Sequence, residues 1–206
     1  MSTHGYDTFV KLEELDLYAR DSAKAFVAGN AVSPVYTALN AEKKLSLIKS
    51  VMHSATGFAE VHVSIPQEVE WLLDNWYIAE REGKCAISDL KTSQRLQSVL
   101  NKRKRLIISE ASLALIRSGA GTVTSERVEI FLDAFQDSIC LSEAELALFI
   151  PALRLELVTC LADACQKLRL VMSDGVVEDG LASYFGRLFS SLRFLSGFDA
   201  SKILES

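Results

Sequence analysis

The side chains that most often carry chemistry are few in this sequence and widely spaced. Its three histidines, His4, His53 and His62, have no cysteine or carboxylate at the spacing of a metal site, and zinc needs about four convergent ligands. Glu70 and Asp74 lie one helical turn apart and could mimic the paired carboxylates of a glycosidase, but such neighbours on a polar helix strip are usually only solvated. The sequence therefore predicts no catalytic, cofactor-binding or metal-ligating residue.

Composition places the chain among ordinary globular proteins. Of its 206 residues, 49% are apolar and 24% are charged, and the net charge of −5 offers no electrostatic attraction to nucleic acid or to an anionic membrane. The segment from Met1 to Tyr6 is too short and polar for a secretory signal, and no apolar run is long enough to insert into a membrane. We expect Cys85, Cys140, Cys160 and Cys165 to be free core thiols of a reducing compartment, which favours a cytoplasmic location.

The stretch from Leu141 to Leu161 predicts the start of a long buried helix. Ser142 and Glu145 have the spacing of a capping box, in which the serine accepts from the third amide of the helix and the glutamate reaches back. Pro151 removes one backbone donor, so the sequence predicts a kink there rather than a stop. Apolar residues recur at three- and four-residue spacing, at Leu146, Ile150, Leu153 and Leu157.

Two charged side chains fall on helix faces that are otherwise apolar. Arg154 lies opposite the strip that carries Glu145 and Glu156, which is predicted to be the wet side. In an earlier helix, predicted from Ser64 to Gly83, Glu80 falls on the apolar stripe. Because burying a charge without a partner costs several kcal/mol, we predict that Glu80 and Arg154 form a structural ion pair. The alternative is two independent side chains whose stems lie on apolar surface while their heads reach water.

The same earlier helix carries a second apolar stripe formed by Trp71 and Ile78. If this stripe is exposed, it is an interface for another protein. A weaker alternative is a sugar-binding surface that uses Trp71, Trp76 or Tyr77. Aromatic side chains at helical spacing are more often part of a core than of a ligand platform.

Helical periodicity predicts an all-α fold of about eight helices in an irregular bundle or array, with no significant sheet. We expect a single domain over residues 1–206, with a helical N-terminal part (1–63) and a second part (64–206). Lys102 to Arg105 form a basic run, interpreted as a solvated helix face rather than as a contact with phosphate or membrane. The predicted helices start at Asp7 or Thr8, Ser33, Ser64, Ser88, Thr124 or Ser125, and Leu141. Helix breaks are predicted at Gly29-Asn30, Gly83, Gly119 to Gly121 and Ser173 to Gly175, and a loop with some helix at 54–63. The last helix is predicted to end at Gly197 in a left-handed conformation.

Two longer motifs stand in the second part of the chain. Residues 70–80 read E-W-L-L-D-N-W-Y-I-A-E, and residues 128–161 contain F-L-D-A-F-Q followed by the predicted long helix. These stretches resemble E-W-L-L-D-N-F-H-x-x-E, F-L-x-x-Y-Q and L-T-x-x-E-L-W-x-x-P-x-x-L-R-x-x-L in the N-terminal region of cyclic β-1,2-glucan synthase-type proteins. Glu80 and Arg154 both fall at matched positions.

A third match runs from Leu195 to Ser206, where Ala200 stands in place of the family's tryptophan, and Ala147 stands in place of another. The resemblance covers most of residues 66–206. It implies a non-catalytic, cytoplasmic N-terminal domain of a large inner-membrane enzyme that makes cyclic β-1,2-glucan from UDP-glucose. The rest of that polypeptide is then the expected partner, with this domain as scaffold or regulator, and no catalytic residue of the family falls in this chain. The alternative is a free-standing helical module for protein–protein interaction.

Overall fold

The computed structural model describes residues 9–100, 102, 104–175 and 179–198. This part of the chain folds into eight α-helices and one two-stranded sheet, so the predicted all-α class is confirmed. In chain order the elements are α1 (Leu12–Lys24), β1 (Ala28–Val32), α2 (Val35–Val61), α3 (Gln67–Thr92), β2 (Leu96–Val99), α4 (Ile107–Ser118), α5 (Ser125–Gln136), α6 (Glu143–Ala147), α7 (Phe149–Asp174) and α8 (Leu181–Ser196).

Helix α7 lies at the centre of the fold and packs against α2, α3, α4 and α8. Nearly every residue from Phe149 to Val158 is buried, because apolar side chains occupy all faces of these turns and a helix that is apolar all round needs cover on all sides. Around it, α2 pairs with α3, and α1 packs on α5 and α4. Helix α8 closes the bundle by packing on both α3 and α7.

Among the helices of the described chain, none combines the length and the apolar content that a membrane span requires.

The central helix is interrupted before Pro151. The predicted capping box is present, with the amide of Ser142 donating to the carboxylate of Glu145 at 2.9 Å and the serine hydroxyl accepting in return. However, α6 ends at Ala147 and α7 begins two residues later, so the predicted kink is wrong and the helix stops instead. A proline ring clashes with the carbonyl four residues back, here that of Ala147, but is tolerated in the first turn of a new helix.

Strands β1 and β2 pair antiparallel where no strand was predicted. The sequence placed a helix end at Gly29-Asn30, but α1 ends at Lys24 and these residues lie in β1. It also predicted one or two helices over residues 88–118, where β2 separates the end of α3 from α4. The hydroxyl of Ser98 donates to the carbonyl of Asn30 at 2.7 Å and fastens the two strands. Short strands of this kind lack a clear alternating pattern and are stabilised by their partner, which lies far away in sequence.

Helices α2 and α3 are both longer than predicted. Residues 54–61 continue α2, and α3 runs past Gly83 to Thr92. A Cβ atom on Gly83 would lie 2.9 Å from Cδ1 of Leu45, so this glycine allows α3 to pack closely on α2 rather than ending the helix. The close contact offsets the cost of about 1 kcal/mol that glycine carries in a helix interior.

The predicted helix ends are only partly correct. Gly175 ends α7 in the left-handed region with φ of +66°, and Thr124 caps α5 by accepting from the amide of Arg127 at 3.3 Å. Gly197 has φ of −104°, so its predicted left-handed conformation is wrong. The predicted caps Asp7 and Thr8, His4 and most of the stretch from Leu195 to Ser206 lie outside the described residues.

Candidate ligand-binding groove

An open groove of about 670 Å³ runs between the first turns of α3, the segment 122–124 and one face of α8. We call it the Trp71 groove. Its volume lies within the range of natural small-molecule sites, about 300–1,000 Å³. Its lining residues are Gln67 and Trp71 from α3, Thr122, Val123 and Thr124 from the connecting segment, and Ser183, Gly186, Arg187, Ser190, Ser191 and Phe194 from α8.

Small residues on α8 make room for the groove. Ser183, Gly186 and Ser190 recur at three- and four-residue spacing and therefore share one face of the helix. A Cβ atom on Gly186 would lie 3.1 Å from Cζ2 of Trp71, so the indole rests directly against the helix at this glycine. Even alanine at this position would require the indole of Trp71 to move by a few tenths of an ångström.

The opposite wall is held in place by hydrogen bonds to α8. The hydroxyl of Ser191 accepts from the amide of Val123 and donates to the carbonyl of Gly121, each at 2.9 Å. The Nε atom of Arg187 donates to the carbonyl of Ala120 at 2.7 Å. Because these bonds satisfy buried backbone groups, the segment that follows α4 is fixed on α8 rather than free to fill the groove.

The predicted interface of Trp71 and Ile78 is wrong, because the two residues do not form one exposed stripe. Ile78 is only 2% exposed and belongs to the core, whereas Trp71 is half-buried and lines the groove. The two residues share a helix face, but α3 is covered differently along its length. Trp71 faces the open space beside α8, and Ile78 does not.

The structure also separates the three aromatic residues of the sugar-binding alternative. Trp76 lines a second groove of about 330 Å³ between α2 and α3, together with Glu42, Lys49 and Glu80. Tyr77 is 57% exposed and lines neither groove. Residues five positions apart point about 140° away from each other on a helix, so these side chains do not form one platform.

The predicted ion pair between Glu80 and Arg154 is wrong. Glu80 instead accepts from Lys84, one turn further along α3, at 2.8 Å. The carboxylate near Arg154 belongs to Glu82, with 3.3 Å between Nε and Oε2, and the guanidinium also donates to the carbonyl of Leu195. The side chains of residues two positions apart on a helix point about 160° away from each other, so Glu82 faces α7 while Glu80 faces away from it.

Substitutions should distinguish the two carboxylates. Arg154→Met and Glu82→Gln are expected to be non-additive, with a coupling energy of about 1–3 kcal/mol, because the side chains share a buried contact. Arg154→Met and Glu80→Gln are expected to add within about 0.5 kcal/mol. Urea unfolding of each single and double variant measures both cycles. Equal coupling in the two cycles would contradict the assignment to Glu82, and Arg81, which also donates to Glu82 at 2.8 Å, remains in place throughout.

A buried charge network escaped prediction altogether. Arg105 donates to both carboxylate oxygens of Glu156, at 2.9 and 3.0 Å, and its Nε donates to Glu110 at 2.7 Å. Glu156 and Glu145, expected on the wet side, are only 2% and 1% exposed. The run from Lys102 to Arg105 precedes α4 rather than forming a helix face. Nothing in the local pattern signals that this connection covers α7.

The network shifts the titration of Glu110. Burial disfavours the charged carboxylate, but hydrogen bonds from Arg105 and Lys102 outweigh burial and hold the pKa of Glu110 below its usual range.

Arg127 is a buried cation that the sequence did not reveal. Its guanidinium donates to the carbonyl of Val10 and the hydroxyl of Ser118, and burial lowers its pKa. The contacts of Arg105 and of Arg127 hold separate segments of the chain together, so their role is structural.

The four cysteines are free, but they are not all in the core as predicted. Cys165 is buried and Cys160 half-buried, whereas Cys85 and Cys140 are exposed. Burial raises the pKa of Cys160 to about 12 and that of Cys165 further. Thiols so rarely ionised at neutral pH are poor nucleophiles.

A thiol reagent should therefore separate two classes of cysteine in the folded protein. Cys85 and Cys140 are expected to react quickly with Ellman's reagent at pH 8, and Cys160 and Cys165 only after unfolding. Counting the released thiolate before and after adding guanidinium chloride checks this. Fast reaction of a Cys85→Ser, Cys140→Ser double variant would contradict the burial of the other two.

Within the part of the chain that is described, no three His, Cys, Asp or Glu side chains converge as metal ligands would. Comparison with known proteins adds no relative: no family model, no curated protein and no solved structure matches this chain.

Proposed function

We propose that this chain is the non-catalytic N-terminal helical domain of a cyclic β-1,2-glucan synthase-like enzyme. In this role it is a scaffold or regulator of UDP-glucose-dependent glucan synthesis at the cytoplasmic face of the inner membrane. The expected partner is the rest of the same polypeptide. The proposal starts from the resemblance of residues 70–80, residues 128–161 and the stretch that begins at Leu195.

One observation carries the proposal: Arg154, itself a matched residue of the second stretch, contacts the third at Leu195 and the helix that carries the first at Glu82. Its Nε atom lies 3.3 Å from Glu82, just after the first stretch, and its Nη2 atom donates to the carbonyl of Leu195, where the third begins. Stretches that resemble the family therefore lie together in space. This arrangement is what a shared domain requires, and an accidental likeness of separate segments would not need it.

Asn75 in the first stretch supports the same interpretation. Asparagine is a poor helix former, and here it is only 6% exposed. Its side chain donates to the carbonyl of Trp71 and accepts from Arg193 of α8, each at 2.9 Å. A residue of the matched motif is thus used to attach α8 to α3. Matched residues with architectural contacts favour a scaffolding role over a catalytic one.

Cell fractionation tests the proposed function. An antiserum raised against this chain is used to blot membrane and soluble fractions of the source cells, with serum pre-absorbed on the pure protein as the control. A very large membrane-bound band is expected. A soluble band near the 22.7 kDa of this chain would contradict the proposal.

That second outcome would favour a free-standing interaction module, for which the structure offers a specific surface. Val35, Tyr36 and Leu39 on the first turns of α2 are 39%, 47% and 44% exposed. Apolar residues clustered at a surface are typical of protein–protein contacts. Loss of a co-purifying protein on Leu39→Asp, with the fold intact by circular dichroism, would support this alternative.

A further inference from the structure

We propose that the Trp71 groove is a binding site for a neutral, hydroxyl-rich ligand of the oligosaccharide class. The inference goes beyond the proposed function, which assigns no ligand to this chain. It is drawn from the lining of the groove alone, and it is tested on the isolated protein.

The first observation is the unused hydrogen-bonding capacity of the lining. The side chains of Gln67, Thr122, Ser183 and Ser190 make no hydrogen bond to any described part of the protein. A hydroxyl both donates and accepts, and an amide offers two donors and an acceptor. These groups stand on both sides of the groove and match a ligand that presents many hydroxyls.

The second observation is the orientation of the serines on α8. Serine and threonine inside helices often donate to the carbonyl four residues back. Elsewhere in this chain Ser46, Ser54 and Thr159 do so, at 3.0 to 3.2 Å. Ser190, in the interior of α8, makes no such bond, so its hydroxyl is left for the groove. Ser183 lies in the first turn of α8, where no helical carbonyl stands four residues back.

The third observation is the indole of Trp71. It lies against Gly186 and lines the groove, so it offers an apolar surface beside the polar groups. An apolar aromatic ring next to polar side chains suits a ligand whose surface alternates between C–H and O–H groups. Sugar rings have this alternation, whereas a purely apolar ligand would leave the hydroxyls of both walls unpaired at a cost in affinity.

The charge of the lining excludes other ligand classes. No carboxylate is among the described lining residues, so the groove gives a cation nothing to pair with. Its one charged residue, Arg187, uses Nε on the carbonyl of Ala120 and lies 5.9 Å from the ring centroid of Tyr184. The amide of Val123 is committed to Ser191 and is therefore not available to a phosphate. A neutral ligand remains.

Nuclear magnetic resonance of the indole N–H groups tests the proposal with an internal control. The chain has two tryptophans, and they line different grooves. Linear gluco-oligosaccharides with β-1,2, β-1,4 or α-1,4 linkages are titrated to about 10 mM, which detects a Kd in the millimolar range. At least one is expected to shift the Trp71 signal and leave the Trp76 signal unchanged.

A matched pair of variants assigns the shift to the groove. Ser190→Leu places a larger side chain in the groove from an exposed position and is expected to weaken binding at least tenfold. Ser88→Leu makes the same change at an exposed position of α3 outside the groove and is expected to leave binding unchanged.

Three results would overturn the proposal. The first is no shift of the Trp71 signal with any of the oligosaccharides, and the second is an unchanged shift in Ser190→Leu. The third is a shift with glucose 1-phosphate alone, which would indicate an anion site. None of these results bears on cell fractionation, so failure of the groove and failure of the proposed function are distinguishable.

Discussion

Arg105→Ala is expected to lower the free energy of unfolding by about 3–5 kcal/mol, because it leaves the buried carboxylate of Glu156 without its charged partner. Glu156 is 2% exposed and receives two hydrogen bonds from the guanidinium. The cost of an uncompensated buried charge exceeds what the pair contributes when both partners are present. Urea unfolding followed by far-ultraviolet circular dichroism measures the loss.

The double variant Arg105→Met, Glu156→Leu distinguishes a buried charge from a simple loss of contacts. Replacing both partners by apolar residues is expected to recover most of the stability, since neither charge then remains in the core. Lys102→Ala removes an exposed cation that contacts only Glu110 in this network and is expected to cost less than about 1 kcal/mol. Strictly additive losses in Arg105→Met and Glu156→Leu would contradict the pairing.

The loss in Arg105→Ala should also depend on pH. Burial raises the pKa of Glu156, and Arg105 is the nearby charge that opposes the rise. Without Arg105 this opposition is lost, so the pKa of Glu156 in the folded protein rises further above its value in the unfolded chain. A group with a raised pKa in the folded state loses stability as the pH rises, so the variant should be least impaired in mild acid and most impaired above neutrality.

Gly119→Ala is expected to destabilise the protein by at least about 3 kcal/mol, the upper end for overpacking. A Cβ atom there would lie 2.1 Å from the carbonyl oxygen of Thr122, and a backbone atom cannot move aside as a flexible side chain can. The amide of Thr122 also donates to the carbonyl of Gly119 at 2.8 Å, which holds the turn closed. The wall of the Trp71 groove would have to shift with it.

Gly57→Ala is the matched control and should change stability in the opposite direction. A Cβ atom on Gly57 would meet nothing within 4 Å, and the residue lies inside α2. Alanine is favoured over glycine in a helix by about 1 kcal/mol, so a gain of up to this size is expected. Thermal unfolding of both variants beside the wild type checks the pair. Equal effects would mean that the crowding at Gly119 is not what limits substitution.

Predictions that depended on neighbouring residues in the sequence were largely correct. The capping box of Ser142 and Glu145, the cap at Thr124 and the predicted helix break at Gly175 are all present. Each depends on backbone groups within about one turn, so the residues that decide it are adjacent in the chain. The stop before Pro151 has an equally local cause, and its strength was underestimated.

Predictions about which charges meet required information that the sequence lacks. A helical wheel indicates the direction of a side chain from its own axis, not what covers it. Glu80 and Glu82 point in nearly opposite directions, and only the packing of α3 on α7 selects Glu82 for Arg154. Glu156 is buried because Arg105, more than fifty residues earlier in the chain, approaches from outside α7.

By itself, the sequence determined the all-α class, the approximate starts of α2, α3, α5 and α6, and the apolar stripes that form the core, because helical periodicity and capping are local. The tertiary structure alone decided the pairing of β1 with β2, the exposure of Cys85 and Cys140, and the Trp71 groove. Its walls come from residues 67–71, 122–124 and 183–194. They meet only because α8 packs on α3 through Gly186, and the free energy of that contact depends on shapes that no single segment contains.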